Sequence, residues 1–314
     1  MGLENRVSSG DLALERKQSK QETVISRSVI KGMGRVGEYF LYALLILIFV
    51  TPFAWMFLGS VRNEAEIFAY LYPFGWHTFV PVEWTLKNFL DIFGLTEEGR
   101  GFGLSFHVFL INSFIVSAAV VGFSLIFNTM GAYFFARLSF PYKNVLLVFV
   151  IATMLVPFQA TIVPLYIVVS ALGLQDSYWA LILPWYASPF VIFLLMQFMK
   201  DIPIDLDEAA IIDGASYLGV LWHVIVPLSV TGIVTTALLE FQFIWNLFYW
   251  PLIAISRSEL QMIQVAIANQ TTQGQVYWGR TFAGSVLASL PVIILFLMLQ
   301  KYYIQGVATT GIKG

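Results

Sequence analysis

Residues 208–229 read EAAIIDGASYLGVLWHVIVPLS, and most of the architecture can be inferred from this segment and its flanks. On a helix, Ala209 and Ala210 leave a narrow surface that another protein can approach closely. Gly214 permits a turn after that helix, and a second helical segment then leads to Pro227. Proline suits the first turn of a following helix, because the N–H that it lacks has no partner there. The pattern predicts a helix, a turn and a second helix.

Long uncharged runs lie on both sides of the loop that contains this segment, residues 200–227, which we call the signature loop. A helix needs about 20 apolar residues to cross the hydrocarbon core of a bilayer. The composition agrees, since 58% of the residues are hydrophobic and 11% are charged, against roughly 25% charged in soluble domains. Prolines inside the third, fourth and sixth runs predict kinks. The chain is predicted to be an all-α polytopic membrane protein with six transmembrane helices, at residues 39–58, 108–130, 145–169, 178–199, 228–249 and 281–300.

The flanks of the spans predict the orientation. Residues 1–36 form a polar tail before the membrane domain, residues 37–314, and they carry the basic residues Arg6, Arg16, Lys17, Lys20, Arg27, Lys31 and Arg35. Because basic flanks of a first span are held in the cytoplasm, the N-terminus is predicted to be cytoplasmic. With six spans the C-terminus and the signature loop are cytoplasmic too, and residues 59–105 and 251–280 form external loops. The aromatic and apolar content of these loops predicts that they pack on the membrane surface or meet another protein.

The sequence offers few residues for disulfides, metal sites or nucleotide binding. The chain has no cysteine, which excludes disulfides and thiolate metal sites. Its histidines, His77, His107 and His223, lie far apart in the sequence, so no metal site is expected. The glycines at 32, 34 and 37 have the spacing of a dinucleotide-binding loop, but they precede a membrane helix instead of following a buried strand. We expect no catalytic residue and no cofactor in this chain, and no nucleic-acid partner.

Polar groups inside membrane spans are costly and tend to face a bundle interior or a water-filled cavity. Glu240 is the one ionisable group well inside a predicted span, so it is the first candidate for a substrate path or for a contact with a partner subunit. A hydrogen bond between two helices is the alternative role. For the aromatic candidates, the alternative to a place in the path is a position that faces lipid or the membrane interface, where aromatic residues are common. The further candidates are Asn112, Gln159, Tyr166, Phe243, Trp245 and Asn246.

The signature loop resembles that of the membrane subunits of binding-protein-dependent ABC importers. The resemblance is carried by Glu208, Ala209, Ala210, Asp213, Gly214, Ala215, Ile225 and Pro227. It extends through Asn112-Ser113, GAYFFARLSFP at 131–141, Trp245-Asn246, Pro251-Leu252 and the final Gly-Ile-Lys-Gly. Over most of residues 37–314 the chain is similar to the carbohydrate-uptake group, and within it to the second permease of maltose and glycerol-phosphate systems. Trp222 stands where Phe is more usual in the motif, and it keeps an aromatic side chain there.

The resemblance implies a type I importer fold, in which a five-helix core, about 105–303, is repeated in a homologous partner permease. It also implies an ATPase dimer that binds ATP and Mg²⁺, and an external solute-binding protein that delivers a carbohydrate, polyol or sugar phosphate. The signature loop is then expected to couple the ATPase to the membrane helices. The tail, with Thr309, Gly311 and Lys313, is implied to reach the ATPase, and its glycines and threonines make it too polar and flexible to extend the sixth span.

Two other classes of protein fit the residues less well. A secondary transporter driven by an ion gradient usually has more spans, broken helices in an internal repeat and paired charges inside the membrane. An intramembrane enzyme requires a Ser/His, paired-Asp or metal arrangement within the spans, and the sequence shows none. The sequence therefore favours an ATP-driven importer, with an ion-gradient transporter as the alternative.

Overall fold

The computed structural model describes residues 35, 37–101, 105–272 and 276–311, and every regular element within them is a helix. Helix α1 spans Gly37–Ser60, and the chain divides into two compact units after Met56. The following α-helices are α2 (Trp76–Phe79), α3 (Lys87–Ile92), α4 (Glu97–Gly101), α5 (Phe106–Arg137), α6 (Lys143–Thr153), α7 (Phe158–Ala171), α8 (Tyr178–Ile182), α9 (Pro189–Lys200), α10 (Asp205–Ile212), α11 (Tyr217–Val220), α12 (Val226–Leu228), α13 (Val230–Trp245), α14 (Tyr249–Ala254), α15 (Ile263–Thr272) and α16 (Trp278–Gly311). Short 3-10 helices lie at Glu64–Glu66 and Ser258–Leu260, and a π-helical turn lies at Leu221–Ile225.

Among the described residues, three helices are long and apolar enough to cross a bilayer: Gly37–Ser60, Phe106–Arg137 and Trp278–Tyr302. They correspond to the first, second and sixth predicted spans. Two helix pairs pass the same test when each pair is joined: α6 with α7, bent by 97°, and Tyr217–Leu228 with α13, bent by 81°. The described helices therefore provide three spans, or up to five if each bent pair is one span.

The third and fourth predicted spans are interrupted at prolines. Pro157 has an extended backbone (φ −65°, ψ 132°) and caps α7, so its ring and its missing N–H separate α7 from α6. The resulting change of direction is much larger than the predicted kink. Residues 183–188 divide the fourth predicted span into α8 and the apolar helix α9, and Ser188 caps α9 with Pro189 in the first turn.

Helix α5 is central to the bundle, since it packs against both α9 and α13, and α13 packs against α16. A Cβ at Gly232 of α13 would lie 2.6 Å from Cγ of Phe198 on α9, so the close approach of these helices requires glycine. One apolar cluster at the Phe106 end of α5 joins it to α3, α13, α15 and α16. Another cluster at the Arg137 end joins α5 to α9, to α11 and to the π-helical turn that follows α11.

The last helix is longer than predicted. The expectation that the tail is too flexible to extend the sixth span is wrong, because α16 continues through Thr309 to Gly311. Each glycine costs a helix roughly 1 kcal/mol relative to alanine, which does not stop a helix that is already nucleated. Lys313, predicted to reach a partner, lies outside the described residues.

The segment between α1 and α5 is held on α16 by charged groups. The Glu64 carboxylate accepts hydrogen bonds from the N–H groups of Trp278 and Gly279 at 2.7 and 2.8 Å. Arg280, which is buried, donates to Asp91 of α3 at 3.1 Å. These contacts place the loop before α5 beside the first turn of α16.

Candidate functional site

The signature loop folds as a helix, a turn and a helix, as predicted. Asp213 is the C-cap of α10, and Gly214 follows it with φ +90°. Glycine reaches such a positive φ without penalty, whereas a Cβ is crowded by the backbone there. Ser216 then caps α11 by accepting a hydrogen bond from the Gly219 N–H at 3.2 Å. The turn reverses the chain so that α11 returns toward the bundle.

Pro227 was predicted to lie in the first turn of the fifth span, but it does not. It belongs to the three-residue helix α12, and α13 begins only at Val230, after the bend of 81°. The prediction is wrong because Ser229 leaves helical geometry (φ −94°, ψ 10°) and interrupts the helix between Pro227 and the membrane segment.

The signature residues divide into two sets by exposure. The inward set packs on α5 and α9 and consists of Ala210, Ala215 and Ile225. The outward set is exposed and consists of Glu208, Ala209, Asp213, Gly214 and Pro227. The two adjacent alanines of α10 therefore serve different faces, because neighbouring residues on a helix point in different directions. The prediction that both alanines form one docking surface is therefore wrong: Ala209 is exposed, whereas Ala210 is half-buried and packs against the bundle.

Large apolar side chains are exposed around the outward set. Ile212, at the end of α10, is 84% exposed. The other members of this apolar rim are Ile204, Leu206, Ile211, Tyr217 and Leu218. Contiguous exposed apolar surface on a folded protein is typical of a binding site for another protein or for a membrane.

A buried ion pair fixes α10 to the end of α5. The Arg137 Nε lies 3.3 Å from an Asp207 carboxylate oxygen, and each of the two side chains is only 6% exposed. Arg137 Nη2 also donates to the carbonyl oxygen of Ile202 at 2.8 Å. Asp207 faces the bundle because it lies three residues before Ala210 on the same side of the helix. The pair therefore links α10 directly to the last turn of α5.

This ion pair determines position more than it adds stability. Burial raises the pKa of the Asp207 carboxyl group above its ordinary value, while the attraction of Arg137 lowers it and the nearby Glu208 raises it further. Desolvation of the carboxylate thus outweighs the attraction of its partner, as is common for buried pairs. Removing either member leaves the other charge buried without compensation, so the pair specifies one arrangement of α10 on α5.

Two cavities lie beside α13 at the level of the apolar helices. A cavity of about 550 Å³ is lined by Glu240 and Phe243 of α13, by Trp185 and Ser188 of the segment between α8 and α9, and by residues of α6, α9 and the turn after α6. A second cavity, of about 450 Å³, is lined mainly by apolar and aromatic side chains together with two amides, Gln242 and Asn246. Phe243 lines both cavities. Mostly apolar walls with a few polar groups are typical of sites for small molecules.

Glu240 makes a hydrogen bond between two helices and also lines a cavity. Its side chain is buried, lines the larger cavity and accepts a hydrogen bond from the Ser124 hydroxyl of α5. Asn128, one turn along α5, donates to the Ser124 oxygen at 2.5 Å and to the Tyr186 carbonyl at 3.2 Å. The Ser188 N–H donates to the Asn128 side-chain oxygen at 3.1 Å. The network joins α5, α13 and the segment that divides α8 from α9.

The other predicted path residues are dispersed. Asn112 lies at the Phe106 end of α5, where it donates to the carbonyls of Glu259 and Gln261 at 2.8 and 3.1 Å. Trp245 is buried and donates to the Ala288 carbonyl at 2.9 Å, so it packs α13 on α16. The last two candidates are exposed on α7 and line neither cavity; they are Gln159 and Tyr166. Of the predicted set, Glu240, Phe243 and Asn246 line the cavities.

A helical bundle with an exposed apolar loop at one end, and with mostly apolar cavities that contain a few polar groups, is consistent with a transport subunit. The model for the inner membrane component of binding-protein-dependent transport systems matches residues 128–309, more than half of the chain. The chain belongs to this family. The family supplies the permease of ABC transporters, a pore subunit and not an enzyme, so this chain is a multi-pass permease of the inner membrane. The alternative of an ion-gradient transporter is set aside.

Relatives extend the similarity of this permease beyond the matched segment. The sulfoquinovosyl glycerol transport system permease protein of Agrobacterium fabrum is 31% identical over 90% of this chain and 95% of its own. The arabinooligosaccharides transport system permease protein of Halalkalibacterium halodurans is 30% identical over 87% and 94%. The trehalose/maltose transport system permease protein of Thermococcus litoralis is 30% identical over 86% and 94%.

A solved structure shows the same fold as this permease. It is the crystal structure of a bacterial ABC transporter involved in the import of the acidic polysaccharide alginate. One of its chains superposes with a TM-score of 0.71 at 23% identity, over 85% of this permease and 95% of that chain. The interrupted helices of this permease are therefore compatible with an importer fold.

Sequence reasoning missed two pairs of residues in this permease. Asn128 is an amide inside a predicted span, so it met the criterion that selected Asn112, and Ser124 lies four residues before it on the same helix face. Arg137 falls in the motif at 131–141, and Asp207 directly precedes the signature. All four residues were visible in the sequence, but only the fold shows which of them meet.

Proposed function

We propose that this permease is a transmembrane subunit of an ATP-driven importer that crosses the cytoplasmic membrane six times, with both termini in the cytoplasm. The basic tail before α1 and the end of α16 support this topology. The three long helices and the two bent pairs would provide five crossings, and α8 with α9 would provide the sixth. In this orientation the signature loop faces the cytoplasm, and the loops at the Phe106 end of α5 face outward.

The observation that carries this proposal is the division of the signature loop into an outward and an inward set. The outward set and its apolar rim offer a surface to an ATPase subunit. The inward set and the pair of Arg137 with Asp207 fix that surface to α5 and α9. An ATPase that closes on ATP would therefore displace the membrane helices through α10.

The proposed partners supply the functions that this permease lacks. A homologous second permease would form the other half of the pathway, and a solute-binding protein would deliver substrate from outside. ATP and Mg²⁺ would be held by an ATPase dimer and not by this chain. The end of α16, with Thr309 and Gly311, and Lys313 beyond it, would reach the same ATPase dimer.

The proposed substrate is a carbohydrate or a polyol. Relatives named for oligosaccharide and sugar transport support this class. The rings of Trp185 and Phe243 lie 5.5 Å apart beside the larger cavity, and aromatic faces of this kind stack on the apolar faces of sugar rings. Among the described residues that line the two cavities, Glu240 is the one carboxylic acid, and none is a lysine or an arginine. Within the class we therefore favour a neutral solute over a sugar phosphate.

Reconstitution tests the proposal directly. Because the chain contains no ATP-binding motif, the pure permease in liposomes is expected neither to hydrolyse ATP nor to move sugar. Co-reconstitution with its second permease, ATPase dimer and solute-binding protein is expected to give ATP-dependent uptake and hydrolysis stimulated by the loaded binding protein. Sugar-stimulated hydrolysis by the pure chain, or ion-driven uptake by it, would contradict the proposal.

A substitution tests the role of Glu240. Glu240→Ala removes a carboxyl group from the wall of the larger cavity, where a polar contact with the substrate contributes about 1.4 kcal/mol, so uptake is expected to fall by roughly tenfold. The membrane level of the permease and its co-purification with the ATPase should persist, because the Asn128 contacts remain. Ser124→Ala is the matched control, since it removes the hydrogen bond to Glu240 and keeps the carboxylate. Equal loss in both variants would assign Glu240 to helix packing, and unchanged uptake in Glu240→Ala would remove it from the path.

A further inference from the structure

The loop after α1 contains a segment of unusual composition, residues 67–82, which we call the aromatic lobe. It carries no Asp, Glu, Lys or Arg. Its large apolar side chains point away from the protein, and Tyr72 and Trp76 are 90% and 73% exposed. The other exposed members are Phe68, Tyr70, Leu71, Phe74, Phe79 and Val82. Such a surface is too apolar to be explained by solvent alone.

Charged and polar groups lie beneath the aromatic lobe. Arg62 is buried, and its Nη2 donates to the carbonyl oxygens of His77 and Thr78 at 3.0 Å each. Glu66 is also buried, and its carboxylate accepts a hydrogen bond from the Val82 N–H at 2.5 Å. The lobe is therefore inverted relative to a soluble loop, with polar groups inside and aromatic groups outside.

The lobe also satisfies backbone groups internally. The Thr78 hydroxyl donates to the Tyr70 carbonyl at 2.6 Å, and its oxygen accepts a hydrogen bond from the Gly75 N–H at 3.1 Å. Backbone groups that enter a bilayer must be paired inside the protein, because no water is available to them there. A loop exposed to water has no such requirement.

The lobe is continuous with a membrane helix. The Phe68 ring lies edge-on against Trp278, the first residue of α16, with ring centroids 5.5 Å apart. Trp278 in turn lies 6.0 Å from Phe282 in the next turn. Aromatic side chains of this kind collect at the level of the lipid headgroups, where their rings are apolar and their polar atoms reach water.

We propose that the aromatic lobe inserts into the lipid interface of the leaflet at the Phe106 end and anchors the loop that precedes α5. A surface where a soluble protein docks and is released carries charged and polar side chains around its edge, whereas residues 67–82 contain no Asp, Glu, Lys or Arg. Lipid is the partner that matches an uncharged aromatic exterior, paired backbone groups and continuity with α16. The inference does not depend on the transport activity of the chain.

Single-cysteine labelling tests the inference, since the chain has no native cysteine to remove. Tyr72→Cys and Trp76→Cys are labelled with an environment-sensitive fluorophore in the full-length permease in nanodiscs. Two exposed positions provide matched controls: Leu297→Cys on the apolar part of α16 and Ser258→Cys in a loop between α14 and α15. Emission is then quenched either by a lipid with a spin label near the headgroup or by iodide in water.

We expect the labels at 72 and 76 to lose emission with the spin-labelled lipid, as at 297, and to resist iodide. The label at 258 should behave in the opposite way. Iodide quenching at 72 and 76 equal to that at 258 would overturn the proposal. Protection that develops only when the solute-binding protein is added would also overturn it, because the lobe would then be a protein-docking surface.

Discussion

Gly214→Asp is expected to reduce uptake by the assembled transporter to background while the permease stays in the membrane. Gly214 has φ +90°, and a Cβ built on it meets no atom of this chain within 4 Å. The substitution strains the backbone by roughly 1–2 kcal/mol, and the rest of its effect must be exerted on a partner. A carboxylate buried unpaired against an ATPase subunit would release that subunit or make its hydrolysis insensitive to the binding protein.

Gly173→Asp is the matched control for this experiment. Gly173 also has a positive φ, +68°, and an open Cβ position, but it follows α7 and lies outside the signature loop. Ala209→Asp adds a carboxylate to the outward set without backbone strain and should reproduce the defect. Uptake, ATPase association and stimulated hydrolysis are measured for all three variants. Wild-type values in Gly214→Asp and Ala209→Asp would show that this loop does not couple ATP to transport, and equal loss in Gly173→Asp would assign the defect to strain.

Arg137→Met and Asp207→Asn are each expected to abolish stimulated hydrolysis and uptake. Each leaves one charge buried without its partner, which costs roughly 3–5 kcal/mol and displaces α10 from its seat on α5. The combined exchange Arg137→Asp with Asp207→Arg restores opposite charges at the site. Partial recovery of stimulated hydrolysis in the exchanged variant is expected, because the pair positions α10 through charge.

Two further measurements make the result specific. Lys87→Gln removes the cation of an ion pair with Glu98, in which each side chain is about half-exposed. It should change uptake little, since exposed pairs contribute roughly 0–1 kcal/mol to stability. The membrane level of each variant separates a coupling defect from failure to fold. No recovery in the exchanged variant, at normal membrane level, would show that the pair does not act through complementary charge.

The helix and turn of the signature loop were predictable because they depend on local chemistry. Gly214 lies where the chain reverses, and Ser216 caps the helix that follows, as residues of these types commonly do. Long uncharged runs also located α1, α5 and most of α16, because the bilayer imposes one length on any crossing.

The interrupted spans and the side-chain pairs were not predictable from local pattern. Pro157 indicated a kink, but an angle of 97° depends on what α6 and α7 pack against. Asp207 and Arg137 are 70 positions apart in the numbering, and only tertiary packing brings them together. The position of Ala210 on the inward face likewise follows from where α10 sits on the bundle and not from its composition.

Helix α5 is unbroken over 32 residues, which makes it about 48 Å long at 1.5 Å per residue. It is held near one end by Asn112, about two thirds of the way along by Asn128 and at the other end by Arg137. A rod without a hinge cannot absorb a displacement at one point along its length. If it pivots at the Asn128 contacts, its two ends would swing in opposite directions. Such a swing would open the two sides of a membrane in turn.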